Sequence, residues 1–211
     1  MSTKVESLSF VKKNVKWVIC GTLIITVIFI AKGIIENQVL PCDVWAYNFF
    51  VENLRIDWLT VFFKVITWLG ESKILILIGL ASILILKNKK IALCLAGNLV
   101  LVAGLNWLLK HIIQRPRPEG YRLIDESGYS FPSGHAMIST AFYGFILYLV
   151  FKNVKNKALR NSICIALGLL IILLCCSRVY LGVHYASDVI AGLFLCVAFL
   201  IIYISVIKKF L

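Results

Sequence analysis

Charge is scarce in this sequence, and that scarcity excludes a water-soluble fold. Only 15% of the 211 residues are Asp, Glu, Lys or Arg, whereas 61% are hydrophobic. The mean hydropathy of +0.93 points the same way. Alternation of apolar and polar positions is missing too. The apolar residues form continuous runs, which argues against a transmembrane barrel and leaves helices as the spanning structure whose backbone is satisfied in lipid. The expected fold class is all-α: a polytopic bundle of six transmembrane helices with short interfacial helices. The seven cysteines include no CxxC pair and lie mostly within apolar runs. They read as small buried hydrophobes, with Cys42 extramembrane, and no disulfide framework is expected. Internal repeats and low-complexity linkers are absent, so residues 1–211 read as a single domain. No small-x-small cleavage site follows Trp17–Ile30, and the stretch reads as an uncleaved anchor.

Acidic residues are the scarcer of the two charge types, 10 against 22 basic ones, giving a net charge of +12. Such an excess suggests nucleic acid in a soluble protein. Here more than half of the basic residues form four short clusters flanking apolar runs, so nucleic acid is not an expected partner. The clusters are Lys4, Lys12, Lys13 and Lys16; Lys87, Lys89 and Lys90; Lys152, Lys155, Lys157 and Arg160; and Lys208 with Lys209. The spans between them are Trp17–Ile35, Ile74–Leu86, Ile91–Leu109, Ala136–Phe151, Ile163–Cys176 and Val189–Val206. This order puts every cluster on one side, and the positive-inside rule makes that side cytoplasmic, together with both termini. A multi-pass cell-membrane protein with its polar loops outside is expected. Glu6 is the only acidic residue on the inner side. Trp58–Leu69 is short, contains Lys64 and ends at Gly70-Glu71-Ser72-Lys73, which would be costly at the bilayer centre, so it reads as interfacial. The aromatic stretch WAYNFFVENL, with Trp45, Phe49 and Leu54 near helical spacing, reads as an interfacial helix or a simple loop. Asn98 and Asn106 are expected to bond neighbouring helices.

Histidine is rarer still, with three in the chain, and two of them, His135 and His184, fall in the polar elements of the outer face that suggest chemistry. Ser177–Asp188 reads SRVYLGVHYASD between two apolar runs. Ionisable groups at membrane margins are usually paired or functional, because unpaired burial costs several kcal/mol. His184 and Asp188 are one helical turn apart, so the carboxylate can accept from Nδ1–H and leave the Nε2 lone pair free. Arg178, upstream across a turn containing Gly182, carries a planar guanidinium suited to phosphate. A second element, KHIIQRPRP, begins at Lys110 and contains Arg117 between Pro116 and Pro118; alone it also suits a lipid-headgroup contact. The third, FPSGHA at Phe131–Ala136, precedes an apolar helix. Ser133 offers a hydroxyl there, Gly134 lets an anion approach the unpaired N–H groups, and His135 projects from the first turn. Its bland alternative is an ordinary helix start with a surface histidine.

Taken together, K-x6-RP at Lys110–Pro118, PSGH at Pro132–His135 and SR-x5-H-x3-D at Ser177–Asp188 closely resemble the three-part signature of the type 2 phosphatidic acid phosphatase family. The resemblance covers about residues 91–207; earlier residues carry no motif that matches. It implies a membrane lipid phosphatase in which His184 attacks phosphorus to give a phosphohistidine. Asp188 would fix its tautomer, and His135 would protonate the leaving oxygen and then activate water. Lys110, Arg117 and Arg178, with Ser133 and the Gly134 amide, would hold the phosphoryl oxygens. Elementary chemistry supports the same division of roles. Phosphoryl transfer needs positioning and charge neutralisation, which three cations and helix N–H groups supply without Mg²⁺. Those cations would repel a divalent ion, so neither a metal nor another cofactor is expected. The substrate expected is a membrane lipid phosphate: phosphatidylglycerol phosphate, phosphatidate or undecaprenyl diphosphate. Arg115 and Arg122 are expected as headgroup contacts or seats for a second phosphate. A lipid phosphotransferase sharing the phosphohistidine, and a non-enzymatic lipid transporter, are the alternative functions.

Overall fold

The computed structural model describes residues 2–210, with side chains from residue 14 onward. Lys4, Glu6, Lys12 and Lys13 lie outside the described side chains. The chain is helical throughout its ordered elements: α1 (Ser2–Asn37), α2 (Pro41–Tyr47), a π-helical turn (Asn48–Asn53), α3 (Asp57–Leu69), α4 (Ser72–Ile85), α5 (Lys89–Ile113), α6 (Gly134–Asn153), α7 (Lys157–Tyr180) and α8 (Ala186–Ile207). Local chemistry sets the starts. Asn88, Ser133 and Asn156 cap α5, α6 and α7 with their side-chain oxygens. Asp43 and Asp188, each in a first turn, accept the N–H of Leu40 at 3.0 Å and of Tyr185 at 2.9 Å.

Among the described residues, six helical segments are long and apolar enough to cross a membrane, as the hydropathy pattern predicts. One differs from expectation. α4 alone has 14 residues, about 21 Å of helix, less than the ~30 Å hydrocarbon core. With α3 it forms a single 29-residue segment, Asp57–Ile85, interrupted at Gly70-Glu71. Trp58–Leu69 is therefore part of the second span, not a separate interfacial piece. The charge of Glu71 that spoke against this is met by a partner inside the bundle. The WAYNFFVENL stretch is helical, as α2 and the π turn; Trp45 stacks on Phe49 while Ala46 and Phe50 pack against the C-terminal end of α7 and the N-terminal end of α8.

Helix α6 is central, packed on α4, α5, α7 and α8, while α1 flanks α8 and α3 flanks α7. Leu99, Val102, Met137, Phe145 and Cys196 interlock at the α5–α6–α8 seam. In lipid such seams are held by close packing rather than by exclusion of water. Gly79 shows how close: a Cβ there would stand 2.3 Å from Leu99 Cδ1. Polar ties reinforce the bundle. Asn98 Nδ2 donates to the Ala141 carbonyl at 2.8 Å, and Asn106 Nδ2 to that of Pro132 at 3.0 Å, which secures the PSGH strip to α5. At the opposite end Lys16 Nζ donates to Ser205 Oγ at 3.0 Å. All seven cysteines are free.

Candidate active site

The fold brings the three sequence elements to one end of the bundle. Lys110 closes α5, Arg117 lies in the following loop, Ser133-Gly134-His135 open α6, Arg178 is in the last turn of α7, His184 is in the α7–α8 turn, and Asp188 is in the first turn of α8. Lys110, Arg117, Gly134, His135 and His184 line one cavity of about 230 Å³. A phosphoryl group entering it meets two imidazoles and at least two cations.

His184 is buried, and its Nε2 lies 3.1 Å from Arg117 Nη1. Guanidinium has no acceptor, so Nε2 accepts there and the proton of the neutral ring sits on Nδ1. This is the tautomer a nucleophilic Nε2 requires. Nδ1 stands 3.4 Å from Asp188 Oδ2 but makes no hydrogen bond. The direct bond expected from the i,i+4 spacing is thus not closed, because Asp188 is drawn elsewhere: Oδ1 accepts from Arg115 at 2.6 Å, and Oδ2 from the Tyr185 N–H. Burial, then the charges of Arg117, Arg178, Lys110 and His135, hold the His184 pKa well below the ordinary histidine value. Burial likewise lowers that of Arg117.

The turn carrying His184 is braced from the first half of the chain. Arg55 Nη2 donates to the Tyr121 carbonyl at 2.7 Å and to that of Tyr180 at 2.9 Å. Between them Gly182 adopts φ +74°, and a Cβ on it would lie 2.7 Å from the Tyr121 oxygen.

Arg117 is fixed by the carbonyls of Gly128, Val183 and Ser127. Arg178 donates to Thr67 Oγ1 at 2.6 Å and to Glu126 Oε1. The other Glu126 oxygen lies 3.8 Å from Arg117 Nη2. A carboxylate of the loop therefore bridges the two arginines where an oxyanion would sit, and Glu126, not Arg178, lines the cavity. Lys110 Nζ donates to the Tyr129 carbonyl. The Ser133 hydroxyl serves as the α6 cap, accepting the Ala136 N–H at 3.4 Å; it is fully buried and does not line the cavity.

His135 faces Glu71, with Nε2 to Oε2 at 3.4 Å. Glu71, Thr67, Glu126 and Asp43 escaped the sequence reading. Only Glu71 left a trace in it, as the polar interruption of an apolar run.

Arg115 departs most from expectation. It is 2% exposed, not at a headgroup: Nη2 pairs with Asp43 at 2.8 Å and Nη1 with Asp188. Two carboxylates on one guanidinium explain how it tolerates burial. Arg122 is exposed and donates to the Pro118 carbonyl, away from the cavity lining.

Two histidines and clustered cations around one cavity in a helical membrane bundle form an arrangement suited to phosphoryl chemistry. Residues 91–211 match the PAP2 superfamily, and the chain belongs to that family, whose members are phosphatases acting on lipid phosphates. It is 36% identical over 148 residues to phosphatidylglycerophosphatase B of Bacillus subtilis (strain 168), covering 66% of this chain and 70% of that protein. Dolichyldiphosphatase 1 of Homo sapiens is 32% identical over 136 residues, 60% of this chain and 57% of the relative. The crystal structure of the first transmembrane PAP2 type phosphatidylglycerolphosphate phosphatase from Bacillus subtilis superposes with a TM-score of 0.76, at 31% identity, over 90% of this chain and 96% of that one.

Proposed function

We propose that the chain hydrolyses the terminal phosphate of a membrane lipid through a phosphohistidine on His184. The observation that carries this reading is the orientation of the buried imidazole: Nε2 turned to Arg117 at the cavity wall, with Asp188 behind Nδ1. Phosphate entering the cavity draws Arg117 and Arg178 onto its oxygens and frees the Nε2 lone pair. Nε2 then bonds phosphorus as the bond to the lipid oxygen breaks. His135, across the same cavity, gives its proton to that leaving oxygen. In the second step His135 takes a proton from water, the water oxygen bonds phosphorus, the P–N bond breaks, and phosphate departs. Lys110, Arg117, Arg178 and the N–H groups at the α6 start neutralise the equatorial oxygens throughout.

The substrate favoured is a lipid that carries a second phosphate near the terminal one, such as phosphatidylglycerol phosphate or undecaprenyl diphosphate. Support comes from Lys73, an exposed cation lining the same cavity. It takes over the role that Arg115, committed to two aspartates, cannot fill. The named substrates of the two relatives are of this kind. Phosphatidate, with one phosphate, should be the weaker substrate.

The basic clusters flanking the apolar runs support an extracytoplasmic site. A cysteine replacing exposed Ser127 should react with an impermeant thiol reagent in intact cells; reaction only after lysis would reverse the orientation. The function is tested by phosphate release from the three lipids and from soluble phosphomonoesters, using the purified protein alongside His184→Ala and Arg178→Ala. Release from lipids only, lost in both folded variants, is expected. Equal turnover of soluble esters would sink the lipid assignment, and an active His184→Ala protein would sink the phosphohistidine.

A further inference from the structure

Asp43 is a buried carboxylate supplied from outside all three sequence elements. In the first turn of α2, it is 4% exposed and fully bonded. Its Oδ2 accepts from Arg115 Nη2 at 2.8 Å, Ser187 Oγ at 2.9 Å and the Leu40 N–H at 3.0 Å, and its Oδ1 from the Ser187 N–H at 2.8 Å. Arg115 continues the chain of contacts, with Nη1 at 2.6 Å from Asp188 Oδ1 and 2.7 Å from Ser187 Oγ. Its guanidinium lies 4.0 Å from the centre of the Tyr185 ring. The network meets Tyr185, Ser187 and Asp188, which directly follow His184 in the chain.

The charges decide what the arrangement does. One guanidinium neutralises one carboxylate. Were Asp188 the sole partner of Arg115, the two would close a neutral pair, and His184 would face little compensating charge. With Asp43 sharing the guanidinium, the buried trio is left with a net charge of −1. The other groups around the imidazole are mostly of the wrong sign to support a positive ring: Lys110 from α5, Arg117 from the loop, His135 from α6 and Arg178 from α7. Glu126 is bridged to the arginines, and Glu71 to His135.

Resting on the nucleophile role proposed for His184, we propose that Asp43 is a positioning residue: by sharing Arg115 it leaves Asp188 the negative charge that stabilises the His184 ring when phosphorylation makes it cationic. The first half of the chain thereby supplies part of the catalytic charge balance, although the family signature lies wholly in the second.

Asp43→Asn keeps the side-chain size and removes the charge. It should lower kcat at least about tenfold with KM within about twofold, and move the acid limb of kcat/KM down by roughly half a pH unit or more, since a ring with less negative surroundings is harder to protonate. Adding Arg115→Gln removes a positive charge beside the lost negative one, leaving Asp188 again with a net −1. The double variant should regain kcat relative to Asp43→Asn and return the limb toward its wild-type position. A purely structural tie between α2 and α8 predicts the reverse: thermal stability in detergent falls, the limb stays, and the double variant is worse than the single. That result, or a single variant with wild-type kcat, would overturn the proposal. Should the single variant not fold, the double variant carries the test alone, and a limb displaced from the wild-type position rules the idea out. A His184→Ala control separates the two failures. An active His184→Ala protein removes the nucleophile reading and this inference with it, whereas a dead one beside an unaffected Asp43→Asn removes this inference alone.

Discussion

Replacing Glu126 by Gln takes away the carboxylate that bridges Arg178 and Arg117, leaving a side chain of the same size that no longer competes with phosphate for them. A charge-assisted hydrogen bond to a guanidinium is worth about 1.5–3 kcal/mol when desolvated. The Glu126 side chain retains 25% exposure, and the contact to Arg117 is long at 3.8 Å. Solvent screening therefore brings the expected figure to about 1–2 kcal/mol. A phosphoryl group must displace that contact before binding, so its removal should tighten binding by about 5- to 30-fold. The assay is steady-state phosphate release from a lipid phosphate in detergent, with inorganic phosphate as competitive inhibitor. KM and the inhibition constant should fall together by this factor in Glu126→Gln, while kcat stays level or drops modestly as product leaves more slowly. An unchanged inhibition constant would refute the reasoning, because phosphate would not be competing with Glu126. A collapse of kcat at constant KM would refute it too, by making the carboxylate part of the chemistry.

Four further outcomes are expected. Because burial and neighbouring cations lower the pKa of His184, its neutral, attacking form should persist below pH 6.5, and an acid limb at or above that value would contradict the assignment. The same depression has a stability consequence: as pH falls through the unfolded value near 6.5, the unfolded ring takes up a proton that the folded one resists, so stability drops, and His184→Ala should lose less in thermal melts between pH 7 and 5. His135→Ala should be far less damaging on an aryl phosphate than on a lipid alkyl phosphate, since a good leaving group needs little protonation; equal losses on both would remove its acid role. Excess chelator should leave turnover intact, whereas a loss restored by Mg²⁺ or Zn²⁺ would favour histidine and aspartate as ligands.

Legibility in the sequence followed the cost of placement. Lys110, Arg117, His135, Arg178, His184 and Asp188 stand out because polar groups beside long apolar runs require a reason, and their spacing fixes which helix end each occupies. The six spans were readable for the same reason, apart from the second. Its interruption at Gly70-Glu71 looks unfavourable when judged against lipid and loses that appearance once His135 lies opposite. Asp43 and Glu126 were not readable. An acidic residue near a helix start or in a polar loop is unremarkable locally, and its meaning depends on which distant cation the fold delivers to it. Arg115 shows the converse error. Two residues from Arg117 in a proline-stiffened strip, it looks like another outward-facing cation, and only the tertiary arrival of Asp43 and Asp188 turns it inward.

The Gly182 turn bears on how such an enzyme can change its substrate. Any other residue at 182 must adopt a left-handed backbone and push against the Tyr121 carbonyl that Arg55 holds in place. Drift in this turn would move the His184 ring out of its contact with Arg117. Ser72 and Lys73, at the cavity side formed by the start of α4, are half-buried and exposed positions of a regular helix. Mutational libraries aimed at new lipid headgroups should therefore yield active members when diversified at 72 and 73 and almost none at 182, so that headgroup selection and phosphoryl transfer evolve on separate parts of the chain.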